Sequence, residues 1–222
     1  MSDKGRLYVV ATPIGNLKDF TFRAIDTLKE VDFVFAEDTR NSIQLMKHYN
    51  IETKIDSYHE HNSVKKTPKI INLLNEGNNI ALISDAGTPT ISDPGYKLIR
   101  ACIDEKIDIV PIPGASAVTT ALSASGLPSD SFFFLGFLPH KKGRKKKISF
   151  LKSLDNTIII FESPHRLLKT LKELHDELGE RPIVVARELT KLYEEIARGN
   201  FESVIEYFES KIVKGEIVII IG

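Results

Sequence analysis

The sequence predicts an α/β fold of two domains, and three observations carry that prediction. Short β-branched runs recur along the 222 residues: RLYVVA from Arg6, VDFVFA from Val31, NIALIS from Asn79, DIVPI from Asp108, NTIIIF from Asn156 and RPIVVA from Arg181. Each is bounded by turn-forming residues and followed by a helix-length amphipathic stretch, the alternation expected of α/β proteins. The runs are nearly continuous in apolar residues, as in strands covered on both faces. Between them, leucine and isoleucine recur at spacings of three and four in TFRAIDTLKEV, TPKIINLLNEG and PHRLLKTLKELHDELG. The last two end in Gly77 and Gly179, as helix C-termini commonly do.

Two domains rather than one follow from PIPGASAVTTALSASGLPSD, where Pro111, Pro113, Gly114, Gly126 and Pro128 bracket a small-residue helix. The boundary is placed there, giving domains 1–116 and 117–222, and a ligand is expected in the cleft between them, where pockets are commonly built. Hydrophobic residues at 42% and charged residues at 27% exclude a disordered or fibrous chain. With 30 basic and 30 acidic residues the net charge is zero, so binding to a polyanion requires a local cluster. HKKGRKKK, His140 to Lys147, is such a cluster. The single cysteine, Cys102, cannot close an intramolecular disulfide and reads as part of a buried helix face. No apolar run approaches the roughly 18 residues of a spanning helix, and MSDKGRLYVV lacks the apolar stretch of a signal peptide. A soluble cytoplasmic protein with no membrane partner is expected.

Three loops carry the chemistry. ATPIGNLKD, with Pro13 and Gly15, follows the first strand, where backbone N–H groups and a helix N-terminus face a ligand in α/β proteins. It matches neither GxGxxG nor GxxxxGK[ST], which argues against a dinucleotide oxidoreductase or a P-loop NTPase. SDAGTPTISDPG, Ser84 to Gly95, is three times the length of a four-residue turn and is dense in glycine, proline, aspartate and hydroxyl groups. PIPGASA follows the next strand and opens a helix at Ser116. Three such turns after three strands point to one edge of a sheet and one site.

In order along the chain, VVATPIGNL, AEDTR (Ala36 to Arg40), SDAGTPTISDPGY, PIPGASA, SGLP, GFLP, ESPHR (Glu162 to Arg166) and ARELTK (Ala186 to Lys191) resemble the tetrapyrrole (corrin/porphyrin) methylase superfamily, in particular its members that modify ribosomal RNA. The resemblance implies two α/β domains of the tetrapyrrole methylase type, a homodimer, and S-adenosyl-L-methionine held between the domains. It also implies methylation of a cytidine ribose 2′-hydroxyl in 16S rRNA, on the free RNA or the 30S subunit. Carried over position by position, the cofactor residues fall on Pro13, on Ala86, Gly87 and Thr88, on Ile91, and on Ser116 and Ala117. Gly15 and Asp85 join them, Asp85 because Thr88 stands where the porphyrin-type pattern has an acidic residue. A second departure falls near Glu162, where that pattern places a methionine close to the cofactor.

A ribose hydroxyl is a poor nucleophile until its proton leaves, so a general base or charge stabiliser is expected. Glu37, Asp38 and Arg40 directly follow a strand; Glu162, His165 and Arg166 follow another; Arg187, Glu188 and Lys191 a third. From these, Glu37, Arg40, Glu162 and Lys191 are taken as catalytic candidates. Lys141, Lys142, Arg144, Lys145, Lys146, Lys147 and Arg166 are taken as RNA-contacting residues, since clustered cations on a neutral chain suit phosphate contacts. His59 and His61 in YHEHN lack further ligands of suitable spacing, so no metal site is expected. Two other readings stay open: a methyltransferase acting on a small tetrapyrrole-type molecule, and a nonenzymatic RNA-binding protein of the ribosome.

Overall fold

The computed structural model describes residues 4–222. These form two compact units, one ending at Ser116 and the other running from Ala117 to Gly222.

The first unit has strands β1 (Leu7–Val10), β2 (Phe33–Ala36), β3 (Lys54–Ser57), β4 (Ile80–Ile83) and β5 (Ile109–Ile112). Its helices are α1 (Phe22–Glu30), α2 (Thr39–His48), α3 (Ser63–Asn75) and α4 (Tyr96–Asp104). The strands are all parallel, in the order β3-β2-β4-β1-β5. Alternation along each strand sends side chains to opposite faces. Val10, Val34, Ala36, Ala81, Ile83 and Ile112 pack with Phe20, with Ala24 and Leu28 of α1, and with Met46 of α2. Leu7, Phe35, Ile80 and Leu82 pack on the other face with Ile70 and Leu74 of α3 and with Leu98 and Cys102 of α4. Cys102 is therefore a buried core residue, as its sequence context predicts.

The helix ends follow from local chemistry. Thr21 caps α1 by accepting from the Ala24 amide at 3.1 Å, and Asp38 caps α2 by accepting from the Arg40 amide at 2.9 Å. Chain direction then creates a crevice. From β1 the chain moves one way across the sheet with α1 on one face; from neighbouring β4 it moves the other way with α4 on the opposite face. Adjacent strands whose connections leave to opposite faces open a gap at their C-terminal ends, the usual ligand position in open α/β sheets.

The second unit has α5 (Ala117–Ser125), β6 (Phe132–Phe137), α6 (Arg144–Leu151), β7 (Thr157–Glu162), α7 (Leu167–Leu178), β8 (Ile183–Arg187), β9 (Glu195–Gly199), α8 (Phe201–Glu209) and β10 (Ile217–Ile221). Its sheet is mixed, in the order β6-β7-β10-β8-β9, with β6 and β7 parallel and β10 antiparallel to both neighbours. One face packs Ile158, Ile160, Ile183, Val185, Ile217, Ile219 and Ile221 against α6, α7 and α8, and α5 lies against β8 and β10. Because β6, β7 and β8 run in one direction, the segments that follow them emerge at the same sheet edge.

All six predicted runs form strands. The remaining four were hidden for different reasons. β3 and β9 are edge strands with polar sequences, β6 is an aromatic edge strand with a bulge near Gly136, and β10 is a short apolar run, IVIII, whose periodicity does not separate strand from helix. The second half of HKKGRKKK is the first turn of α6, inside the second unit.

Ile219 is fully buried at the centre of β10, between β7 and β8. Ile219→Ala should lower unfolding stability by about 2–5 kcal/mol, read as a lower urea midpoint at unchanged m-value.

Candidate active site

At the strand-end crevice of the first unit, the loops after β1 and β4 are joined by a reciprocal backbone pair. The Thr12 amide donates to the Gly87 carbonyl at 2.9 Å, and the Gly87 amide donates to the Thr12 carbonyl at 3.0 Å. The Thr12 hydroxyl adds a bond to the Ser84 carbonyl at 3.1 Å. Gly87 has φ +82°, where a side chain is strained, and an added Cβ would stand 3.4 Å from the Ile14 side chain. The loop after β5 closes in equally: a Cβ on Gly114 would meet that of Ala11 at 2.9 Å, and the Thr88 hydroxyl reaches the Ala115 carbonyl at 3.3 Å. Thr90 and Ser92 have φ of +76° and +66° without being glycine, and such strained residues gather at functional sites.

The predicted cofactor residues of this unit thus converge. Pro13 and Gly87 are buried, Thr88 and Ser116 are half-buried, and Gly15, Asp85, Ala86 and Ile91 are exposed. Ala117 begins α5 of the second unit. Asp85 has a role that the sequence does not reveal. Its carboxylate accepts from the Asp38 amide at 2.9 Å and from the Asn41 side-chain amide at 3.0 Å, strapping the loop after β4 to the start of α2.

That strap brings carboxylates together. The half-buried Glu37 is pushed up to about 7, by burial first and then by the charges of Asp93, Asp85 and Asp38, against a bond from the Asp85 amide. Asp93 is raised to about 6 by burial and by Asp85, although the Ser84 hydroxyl bonds to it. Asp38 goes the other way, to about 2, because Arg40 binds it with the side chain at 2.6 Å and with the backbone amide. Arg40 is bidentate to Asp38, yet its side chain stays 88% exposed. A carboxylate near neutrality, three residues along the chain from an open guanidinium, can accept a proton while an anion is held.

In the second unit three of the predicted site residues are paired with one another or with their neighbours. Glu162, a catalytic candidate in the sequence, has a fully buried side chain paired with Arg166 at 2.6 Å and accepting from the Thr170 hydroxyl at 2.6 Å. Arg166 also donates to the Ser163 hydroxyl and to the Leu138 carbonyl. Arg144 is buried, bonded to Glu173 at 2.6 Å, to the Thr170 hydroxyl at 2.7 Å and to the Pro139 carbonyl at 3.2 Å. These three side chains form one polar network, linked through Thr170, as a buried charge must be paired and hydrogen-bonded. The network grips Leu138 and Pro139, and the lysines start two residues later. Lys191 is likewise engaged, bridging Glu188 at 2.9 Å and Glu216 at 3.0 Å, in a loop where Glu188 and Thr190 have φ of +51° and +67°. Lys141, Lys142, Lys145, Lys146 and Lys147 are all exposed.

Of the expected histidines, His59 and His61 set their rings 6.1 Å apart, edge on. Elsewhere, the ligand atoms of His175, Glu180 and Glu202 lie within 4.8 Å of one another, with both glutamates exposed.

Comparison with known proteins places this architecture. Residues 6–205 match the family model "Tetrapyrrole (Corrin/Porphyrin) Methylases". The chain is 52% identical over 220 residues to a protein of Halalkalibacterium halodurans named ribosomal RNA small subunit methyltransferase I, covering 99% of this chain and 76% of that one. A Thermotoga maritima protein of the same name is 46% identical over 218 residues, covering 98% of each. Among solved structures, diphthine synthase superposes with a TM-score of 0.76 at 12% identity, covering 98% of this chain and 90% of that one. Cobalt precorrin-4 methyltransferase gives 0.72 at 19%, covering 98% and 94%. These two show a shared fold.

Glu162→Gln should cost about 3–5 kcal/mol by leaving Arg166 unpaired, measured by urea unfolding. Because Glu37 and Asp93 are both raised, their protonated forms favour the folded state. The stability they contribute is present below the ordinary carboxylate range and is lost as pH rises through about 6 to about 7. Glu37→Gln should remove part of that alkaline loss in a thermal melt series.

Proposed function

The chain belongs to the tetrapyrrole (corrin/porphyrin) methylases, and on that premise we propose that it transfers a methyl group from S-adenosyl-L-methionine to the ribose 2′-hydroxyl of a cytidine in 16S rRNA. The relatives that share about half of its residues bear the name ribosomal RNA small subunit methyltransferase I. The structural observation that carries the reading is Glu37, a carboxylate tuned to about 7 at the rim of a glycine-lined strand-end crevice. We further propose a cytoplasmic homodimer acting on 16S rRNA, free or within the 30S subunit. No helix among the described residues is long and apolar enough to cross a membrane.

The crevice suits the cofactor on three counts. Gly87 and Gly114 leave backbone where side chains would intrude. Pro13, Ala86, Thr88, Ile91 and Ser116 offer small or apolar surface and backbone polar groups to a nucleoside. Glu37, Asp85 and Asp93 supply negative charge that complements a sulfonium and an amino group. When bound, S-adenosyl-L-methionine supplies an activated methyl group.

The protein's own residues do the rest. Glu37 takes the proton from the 2′-hydroxyl; an acceptor near neutrality is ionised in a useful fraction at working pH and still basic enough to accept. Asp85 holds the loop that carries Glu37. Arg40, clamped by Asp38 but open on its outer side, positions an RNA phosphate. Lys191, tied to Glu188 and Glu216, keeps the loop between β8 and β9 in shape rather than touching the reacting atoms.

With methyl-labelled cofactor and 30S subunits carrying unmethylated 16S rRNA, label should appear in a 2′-O-methylcytidine. Transfer to a small tetrapyrrole and none to RNA would overturn the reading. Glu37→Gln should slow transfer by about 100- to 10,000-fold and abolish the rise in rate as pH passes through about 7. Ala86→Trp should abolish cofactor binding in calorimetry while leaving the unfolding transition in place.

A further inference from the structure

Helix α6 is electrostatically unfavourable by itself. Its first turn holds Arg144, Lys145, Lys146 and Lys147 with no acidic residue, and its N-cap, Gly143, provides no side-chain hydrogen bond. Cations at a helix N-terminus oppose the helix dipole, whereas an anion there is favoured. Arg144 is neutralised by Glu173. Lys141, Lys142, Lys145, Lys146, Lys147 and Lys152 are all exposed, and none forms an ion pair among the described residues. On a chain of zero net charge this is a concentrated, uncompensated positive surface.

An aromatic ring belongs to that surface. Phe150, on the last turn of α6, is 44% exposed. It is also held in place: its ring meets Phe133 edge to face at 5.7 Å and 69°, and the Lys147 ammonium lies 5.9 Å from its centroid. A polyanion satisfies the lysines, and the exposed part of Phe150 adds a requirement for a flat apolar group. RNA with unpaired bases meets both needs. A paired helix meets only the first, because its bases are stacked inside and its deep groove is closed to side chains.

We propose that α6 is a platform for single-stranded RNA, in which Phe150 stacks an unpaired base while the surrounding lysines hold the flanking phosphates. The proposal rests on the reading of RNA as substrate and adds that the segment held by α6 is unpaired.

The test uses the full chain, fluorescence anisotropy across a salt series, and two labelled RNAs of about twelve nucleotides, one unstructured and one duplex. Stacking is worth about 1–3 kcal/mol per base, so Phe150→Ala should weaken single-strand binding by about 5- to 140-fold. Its salt slope and its duplex affinity should not change. Phe150→Leu, which keeps the packing against Phe133 and removes the π face, should lose most of the same affinity at an unchanged unfolding midpoint. The Lys145→Ala, Lys146→Ala, Lys147→Ala triple variant should instead reduce the slope of log K against log salt by about 2. If that slope falls while Phe150→Ala binds single strands as the parent does, or weakens both RNAs equally, the platform is refuted and the RNA reading stands. If the parent binds neither RNA, the platform is refuted, while the reading of RNA as substrate is decided by the transfer of label to 30S subunits.

Discussion

The first unit depends on one small interaction, the pair of backbone hydrogen bonds exchanged by Thr12 and Gly87. They join the loops leaving two adjacent parallel strands whose connections diverge to opposite faces of the sheet. The ladder of β1 and β4 ends at Val9 and Leu82, so without that tie the loops beyond it would have no backbone bond to each other. With it they become a crevice whose walls are backbone, and Gly87 is required because an L side chain there would be strained and would press on Ile14. Ala11 and Gly114 extend the same close approach to the loop after β5.

The chemistry of the rim follows from this geometry. Once the loop after β4 is fixed at Gly87, Asp85 can reach the Asp38 amide and Asn41, which draws Glu37 toward Asp85 and Asp93. Burial and like charge then raise Glu37, while Arg40 lowers Asp38, one residue away. Two neighbouring carboxylates with opposite shifts can divide the work, one accepting a proton and the other holding a cation.

The second unit solves a different problem, how to present a run of like charges on a rigid support. Arg144, Thr170, Glu162 and Arg166 form a continuous buried chain of charge-assisted bonds that ends on the carbonyls of Leu138 and Pro139. The exposed lysines begin immediately beyond these anchors. One arginine of the basic segment is thus internal, and it fixes the direction from which the others face solvent.

The amino-acid sequence by itself determined the α/β class, the strands with continuous β-branched runs, and the three loops that meet at one sheet edge, because periodicity and turn chemistry are local properties. It also marked Glu37 and Arg40 as strand-end residues and HKKGRKKK as a charge cluster. Only the tertiary structure decided which charges are free. Glu162, Arg144 and Arg166 look in sequence like Glu37 and the lysines, yet they are consumed by partners such as Thr170 and Glu173 on α7. Asp85, a predicted cofactor residue, is also a strap to residues 47 and 44 positions away, which the sequence does not reveal. Burial and pairing are set by contacts between segments distant along the chain, and these determine whether a charged group faces a substrate or the protein's own interior.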